Sequence, residues 1–434
     1  MDPLALAGLG LAFMFLLILL HVPLGVAMGL AGVAGFAWIA TWPAALSLLA
    51  SETAGALASM ELATIPLFIL MGGFATAAGL SEDLYRMAYA LVGHRRGGLA
   101  MATIGGCAGF GAVCGSSIAT TATFARIALP SMRGRGYAPG FAAGTVVAGG
   151  TLGILVPPSV IMVIYAVIAR ELIVELYLAA LVPAVLAVLL HVLAISVQTR
   201  LDPASGPAGP RMPWRERWAV VRGCWGVALL AGTIMGGIGF GVFTATEAAA
   251  VGAAMAFCFA ILRRGLSVAT LRAALLETAT TTGMIYVVIV GAAIFAYFVE
   301  ITQAPQALVG AAQASGLQPV LLLAMILLLY LVLGAVFDEV AVMVVTLPFV
   351  LPLIKAWGYD PVWWGVINVV VIELGLMIPP IGMGVFVVHA LAGGTRLTEI
   401  YRGVAPFVVS NLVRLALLVA IPGLCLWLPA LLRD

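Results

Sequence analysis

Gly153-Ile154-Leu155-Val156-Pro157-Pro158 and Gly375-Leu376-Met377-Ile378-Pro379-Pro380 each lie in the middle of a long apolar run. Two successive prolines remove two backbone donors and push the preceding residue out of helical geometry, so carbonyls upstream lose their partners. In a bilayer such groups persist only where protein or a water-filled cavity satisfies them, and free carbonyls at half-helix ends suit a sodium ion. A proline kink is the plainer reading of one such segment. Two at corresponding positions point to ion sites, with the carbonyls of Gly153, Val156, Gly375 and Ile378 expected to lack intrahelical partners.

The correspondence extends beyond the prolines. A shift of 222 positions aligns Leu129-Pro130, Gly136-Tyr137, Pro139, Leu152-Gly153 and Pro157-Pro158 with Leu351-Pro352, Gly358-Tyr359, Pro361, Leu374-Gly375 and Pro379-Pro380 without a gap. The matched residues are mostly Pro, Gly and Tyr, whereas chance matches between apolar segments involve Leu, Val and Ala. Paired repeats with a broken segment at the same place are the sequence pointer to a secondary transporter's central binding site. The two Pro-Pro segments are therefore expected near the bilayer midplane, related by a pseudo-two-fold axis in the membrane plane.

Composition sets the class. Of 434 residues, 64% are hydrophobic and 9% charged, and the mean hydropathy is +1.19. A soluble fold of this size would carry about a quarter charged residues. Apolar runs longer than the roughly ten residues of a barrel strand make the spans helical. The fold class is thus an all-α polytopic membrane protein. Apolar stretches over 4 to 41, 56 to 80, 100 to 130, 138 to 197, 219 to 262, 274 to 299, 318 to 354, 361 to 392 and 403 to 431 give about eleven to fourteen membrane segments. Residues 4 to 20 read as a retained first helix, since Met1-Asp2-Pro3 supplies no positive leader.

The 20 basic and 18 acidic residues are scattered at segment ends, which gives no nucleic-acid footprint. Lys355 is the sole lysine and is followed by Ala356, so the chain has no phosphate loop and energy comes from a gradient or a partner. The five cysteines form no C-x-x-C and the four histidines are far apart, which argues against zinc, haem or a disulfide framework. An integral membrane enzyme would need clustered acids, histidines or a metal motif, so the chain reads as neither an enzyme nor a cofactor protein. Gln198 to Arg217, with four prolines, reads as an extended loop between the halves. Its arginines, joined by Arg263 and Arg264, place it in the cytoplasm.

Upstream of each break lies a second unusual patch. Gly109-Phe110-Gly111-Ala112-Val113-Cys114-Gly115-Ser116-Ser117 is too rich in glycine and hydroxyls for a plain span, and Gly334 with Phe337-Asp338-Glu339 occupies the equivalent register. Both patches read as tips of re-entrant hairpins approaching the breaks, with a substrate carboxylate between them. Ser116, Ser117, Asp338, Glu339, Pro157 and Pro379 are the substrate-site candidates. Asp338, Glu339 and Glu373 are costly at depth and so are functional candidates. For Asp338 and Glu339 a second reading stays open, that they cap the helix beginning at Val340. Glu373 is expected to be buried with a partner. Arg126 and Arg414 either snorkel or pair with carboxylates. Thr244 and Glu247 have capping-box spacing, and Glu247 is a structural or coupling candidate.

Leu91-Val92-Gly93-His94-Arg95-Arg96-Gly97-Gly98-Leu99, the Cys-Gly-Ser-Ser at 114 to 117, residues 148 to 159, Thr-Ala-Thr-Glu-Ala-Ala-Ala at 244 to 250 and residues 373 to 382 together resemble the large membrane subunit of tripartite ATP-independent periplasmic (TRAP) transporters. The resemblance runs in order over nearly the whole chain. It implies a sodium-driven, elevator-type importer in a bacterial inner membrane, fed with an organic acid by a soluble extracytoplasmic receptor and completed by a small four-helix membrane subunit. Scaffold helices would then occupy 1–55 and 171–265, the latter with the loop 198–217, and transport-domain repeats 56–170 and 266–392, followed by a C-terminal region at 393–434. A first sodium site would fall on Gly111, Cys114, Gly153, Val156 and Pro158, and a second on Gly334, Gly375 and Ile378. Cys114 and Ile378 stand where the family usually has serine and threonine, and sulfur and alkyl groups are poor ligands for a hard cation. A stand-alone ion-coupled carboxylate symporter of similar architecture is the alternative.

Overall fold

The computed structural model describes residues 3–433, and among these every regular element is helical. Helices α1 (Pro3–Leu19), α2 (Leu24–Ile39), α3 (Trp42–Ala58), α4 (Thr64–Ala77) and α5 (Leu80–Val92) precede a hairpin of α6 (Gly98–Cys114) and α7 (Ser117–Arg133). Next come α8 (Pro139–Thr151), a 3-10 turn over Leu152–Ile154, α9 (Val160–Ala169), α10 (Ile173–Leu201) and α11 (Trp214–Gly223). The chain continues through α12 (Trp225–Gly239), α13 (Ala245–Leu262), α14 (Val268–Ile301) and α15 (Ala304–Ala314) to a second hairpin, α16 (Pro319–Gly334) and α17 (Glu339–Ala356). It ends with α18 (Pro361–Gly375), α19 (Met383–Leu391), α20 (Leu397–Ala420) and α21 (Gly423–Arg433).

The order of elements recurs at the spacing read from the sequence. The first residues of α1 and α12, of α7 and α17, and of α8 and α18 are each 222 positions apart (Pro3 and Trp225, Ser117 and Glu339, Pro139 and Pro361). One element departs from the pattern: α3 and α4 are separate, whereas their counterpart is the single 34-residue α14. At 1.5 Å per residue α14 is about 51 Å long, well beyond a hydrocarbon core of about 30 Å, so it must tilt or protrude.

Local chemistry sets the helix starts. Pro139, Pro319 and Pro361 occupy first-turn positions where a missing N–H costs nothing. Ser116, Ser159, Asp338 and Asp360 accept N–H groups of the helices they precede. Burial then orders the elements radially. Every residue of α18 from Val362 to Gly375 is buried, as is α8 from Phe141 to Thr151, whereas α3 buries Ala45 alone and α16 only three residues. The two short broken helices are the centre of the molecule, and the outer helices present Leu, Val, Phe and Trp outward, as a lipid-facing surface requires. The chain is a multi-pass membrane protein.

One expectation needs correction. The loop between the halves is shorter than Gln198 to Arg217: the helix runs on to Leu201 because the first proline is Pro203, and α11 begins at Trp214 directly after Pro213. The apolar stretches are divided into helices of very different length. By length and apolarity five described helices can cross a bilayer, α10, α13, α14, α17 and α20, and the bent pairs α4 with α5 (66°) and α11 with α12 (48°) bring the number to seven. Proline and glycine cut the remaining apolar sequence into pieces of 10–17 residues.

Asp360 Oδ1 accepts from Val362 N at 2.7 Å and Trp363 N at 3.2 Å at the entrance to the fully buried α18. Asp360→Ala is expected to destabilise the protein by about 1 kcal/mol, and Asp360→Asn by much less. The unfolding midpoint in detergent, followed by tryptophan fluorescence, measures the difference.

Candidate functional site

In a continuous helix Gly153 and Gly375 would bond to the N–H of the residues four positions on, which are Pro157 and Pro379 and have none. The next available donors are used differently. The Val160 N–H, due to Val156, goes instead to the carbonyl of Gly115 at 3.4 Å, in the two-residue turn between α6 and α7. In the other half the Gly382 N–H, due to Ile378, goes to the carbonyl of Ala335 at 3.0 Å, joined there by the Ile381 N–H at 3.1 Å. Each hairpin tip is thus stitched by main-chain hydrogen bonds to the break in its own half.

Contact is close enough to require glycine. A Cβ on Gly111 would lie 3.0 Å from the Cα of Gly153, and a Cβ on Gly375 would lie 2.6 Å from the carbonyl carbon of Gly334. Gly111 with Gly153, and Gly334 with Gly375, therefore form matching backbone-on-backbone junctions. Around the first junction Ser116 turns its carbonyl, and Thr120 its hydroxyl, toward Gly153: a Cβ there would stand 2.7 Å and 2.6 Å from them. Thr120 Oγ1 is buried next to the Cys114 thiol and has no other hydrogen-bond partner among the described residues. Cys114 is buried beside this turn and Pro158 abuts Gly115.

The two breaks are satisfied unequally. At the first, the carbonyl of Ile154 accepts the Ser159 hydroxyl at 2.5 Å, and Pro157, Pro158 and Ser159 are buried. At the second, the carbonyl of Gly375 accepts from Ile378 N at 3.2 Å and that of Leu376 from Gly384 N at 3.2 Å. Gly375 thus keeps a local partner, contrary to the expectation for its carbonyl, because the chain tightens to an i to i+3 bond ahead of the prolines. Ile378 is half-buried, whereas Pro379, Pro380 and Ile381 are exposed.

The tips of the two hairpins also meet one another. Ser117 Oγ donates to Glu339 Oε2 at 2.7 Å. Asp338 takes the capping role, its Oδ1 accepting from Val340 N and Ala341 N at 3.0 Å each, and the helix begins at Glu339 rather than Val340. The open alternatives for this pair therefore divide: Asp338 caps, and Glu339 bridges. Phe337 faces Phe15 of α1, with ring centroids 6.3 Å apart.

Deeper in, Glu373 is fully buried. Its Oε2 accepts from Arg414 Nη2 at 2.7 Å, and its Oε1 lies 3.0 Å from the Thr151 hydroxyl. Arg414 is therefore a paired rather than a snorkelling arginine. Glu247 is not among these residues: it accepts from Thr244 N at 2.8 Å while Thr244 Oγ1 accepts from Glu247 N at 3.2 Å, a complete capping box for α13. Sequence reasoning missed Thr120 and Thr151, which are ordinary threonines in apolar helices. The available signal was that Thr151 falls on Glu373 in the 222-residue register.

Comparison with known proteins identifies the family. The family model of the tripartite ATP-independent periplasmic transporter, DctM component, matches residues 11–424. The chain is 37% identical over 370 residues to the C4-dicarboxylate TRAP transporter large permease protein DctM of Pseudomonas aeruginosa, covering 85% of this chain and 86% of that protein. It is 32% identical over 388 residues to the sialic acid TRAP transporter large permease protein SiaM of Vibrio cholerae, covering 89% and 90%. Among solved structures the YdaH transporter of Alcanivorax borkumensis shares the fold, with a TM-score of 0.60 at 16% identity over 89% of this chain and 88% of that one. With broken helices, paired hairpins and a match along nearly its whole length, the chain belongs to the TRAP transporter family as its large permease subunit, a transport protein and not an enzyme.

Proposed function

We propose that this subunit carries out sodium-coupled import of an organic acid, of the carboxylate or sulfonate class, across a bacterial inner membrane. Its partners are a soluble extracytoplasmic receptor that delivers the substrate and a small four-helix membrane subunit. The observation that carries the reading is the diversion of the Val160 and Gly382 N–H groups to the hairpin tips, which assembles two equivalent junctions of backbone oxygens beside Ser117 and Glu339. Membership in the tripartite family favours this receptor-fed reading over a stand-alone symporter. The related permeases serve C4-dicarboxylate and sialic acid systems, so the particular acid is set outside the features shared here.

In this reading the halves are an inverted repeat. Residues 56–170 and 266–392 form a transport domain that moves as an elevator against scaffold segments 1–55 and 171–265, with 393–434 as the C-terminal region. The substrate acid would sit between the tips, beside Ser116, Ser117, Asp338 and Glu339 and the prolines Pro157 and Pro379. Sodium, when bound, supplies positive charge to a substrate site whose own ionisable groups are carboxylates.

The donor set fits that ion at the first junction. Hard cations take oxygen ligands. There the Gly153 carbonyl has lost its helical donor to Pro157, and the Thr120 hydroxyl and the Ser116 carbonyl, which also accepts the Thr120 N–H, lie against Gly153. Gly111, Cys114, Val156 and Pro158 complete that neighbourhood. At the second junction, formed by Gly334, Gly375 and Ile378, the oxygens of Gly375, Leu376 and Ala335 accept N–H groups, as those of Gly111, Gly115 and Ser116 do at the first, but the Ile378 side chain offers no oxygen to match the Thr120 hydroxyl. The second site is the weaker one on this account.

Uptake into proteoliposomes is expected to require both the receptor and an inward sodium gradient. Full-rate transport with potassium replacing sodium would refute the coupling. Ile378→Thr and Cys114→Ser each add a hydroxyl beside a junction and are expected to preserve or raise apparent sodium affinity, Ile378→Thr more clearly. A loss of more than about tenfold, roughly 1.4 kcal/mol, in a sodium titration of uptake would show that the corresponding site is misassigned.

A further inference from the structure

Glu373 does something the ion sites do not require of it. It lies two residues before Gly375 on α18, and Thr151 lies two residues before Gly153 on α8, so their 3.0 Å contact joins the two broken helices immediately ahead of both breaks. The Thr151 hydroxyl is equally close to its own helix, 3.0 Å from the carbonyl of Ala148, and shares its one proton between the two acceptors. On its other side Glu373 is held by Arg414 of α20 at 2.7 Å, and both side chains are 0% exposed. Arg414 Nε and Nη1 have no partner among the described residues, within which Glu373 is the one carboxylate paired with this arginine. Taking two charges out of contact with water costs several kcal/mol per ion, and a well-packed apolar pair would serve stability as well or better. The best-attested use of a retained buried charge is to fix register.

The offset between the partners strengthens the argument. Thr151 and Glu373 are 222 residues apart, as are Ser117 and Glu339, the other hydroxyl–carboxylate contact between the halves. In a two-fold arrangement a residue can touch its own counterpart only on the axis. A side chain on that axis is equally related to both junctions and acts on both at once.

We infer that Glu373 is a positioning residue that ties α8 and α18 into one body, with Arg414 as its counter-charge and Thr151 as its contact on the opposite helix, so that neither break shifts without the other. The inference rests on the transport reading above for its significance and on the geometry alone for its content. Thr151→Val removes the hydroxyl that crosses the seam and leaves the ion pair intact. Thr151→Ser keeps the hydroxyl. Glu373→Gln weakens the seam from the other helix, and Glu373→Gln with Arg414→Gln does so without an unbalanced charge.

The full chain, purified with its small membrane subunit in nanodiscs, is to be followed by hydrogen–deuterium exchange over segments 152–160 and 376–384. Thr151→Val is expected to raise exchange by about twofold or more in both segments, including the one on the helix that was not altered, and Thr151→Ser to restore the original pattern. The double variant is expected to loosen both segments likewise. If each variant loosens only the segment on its own helix, or neither, the tie does not exist. A second measurement, the rise of the unfolding temperature with sodium chloride against choline chloride, separates the two readings. An unmodified protein that ignores sodium refutes the coupling proposal, while the exchange pattern still decides the tie. If the unmodified protein responds, a shallower sodium dependence in Thr151→Val supports the tie, and an unchanged midpoint and steepness argue against it.

Discussion

A backbone N–H or C=O that faces hydrocarbon without a partner costs several kcal/mol, and two consecutive prolines in an apolar segment create such groups. The arrangement of this protein follows from how that debt is met. Val160 and Gly382 would each return their N–H to the residue just ahead of the prolines; each gives it to a hairpin tip instead. A hairpin tip therefore lies against the break in each half, and glycines must stand where backbones cross at Gly111, Gly153, Gly334 and Gly375. The helices carrying the breaks must also be enclosed, because no lipid-facing helix tolerates irregular backbone. The complete burial of α18 and the near-complete burial of α8 are the result.

Enclosure in turn permits charge. Glu373 and Arg414 survive at zero exposure because they face each other inside a protein shell, and Glu339 stays half-buried where the hairpins meet, with the Ser117 hydroxyl on one oxygen. The two halves are alike in construction and unlike in detail. Ser159 closes the first break with its hydroxyl, whereas its counterpart in the second half is Ile381, which is exposed. The first break is closed by the Ser159 hydroxyl, and at the second the Tyr401 hydroxyl of α20 donates to the Ile381 carbonyl at 2.7 Å.

What could be read in the sequence was whatever proline, glycine and charge betray by position. The breaks at 153–158 and 375–380, the hairpin tips and the membrane class all follow from residues whose backbone or solvation requirements are unusual. Arg414 was visible as an anomaly, although its partner was not. The partners of Glu373 could not be read because a threonine such as Thr151 bonds to its own helix in most apolar segments, so no local signal separates a seam residue from a neutral one. The true limits of the loop at 202–213 were missed for a similar reason: polar composition marks a helix leaving the membrane as readily as a helix ending. Nor could the sequence tell that Asp338 and Glu339, adjacent and alike, take different tasks, since that depends on a helix start one residue earlier than expected.

The long helix α14 carries a consequence of its own. Its counterpart is interrupted between Ala58 and Thr64, and the same register in α14 is Thr281-Thr282-Gly283-Met284-Ile285, which is helical throughout. Glycine lowers the cost of bending a helix, and the Thr282 hydroxyl is buried without a partner among the described residues. One half has an elbow and the other a strut with the composition of an elbow. A conformation obtained by exchanging the shapes of the two halves would have to fold that strut and straighten its twin. The two halves are therefore built unequally at this point, an interruption in one standing opposite a continuous helix in the other.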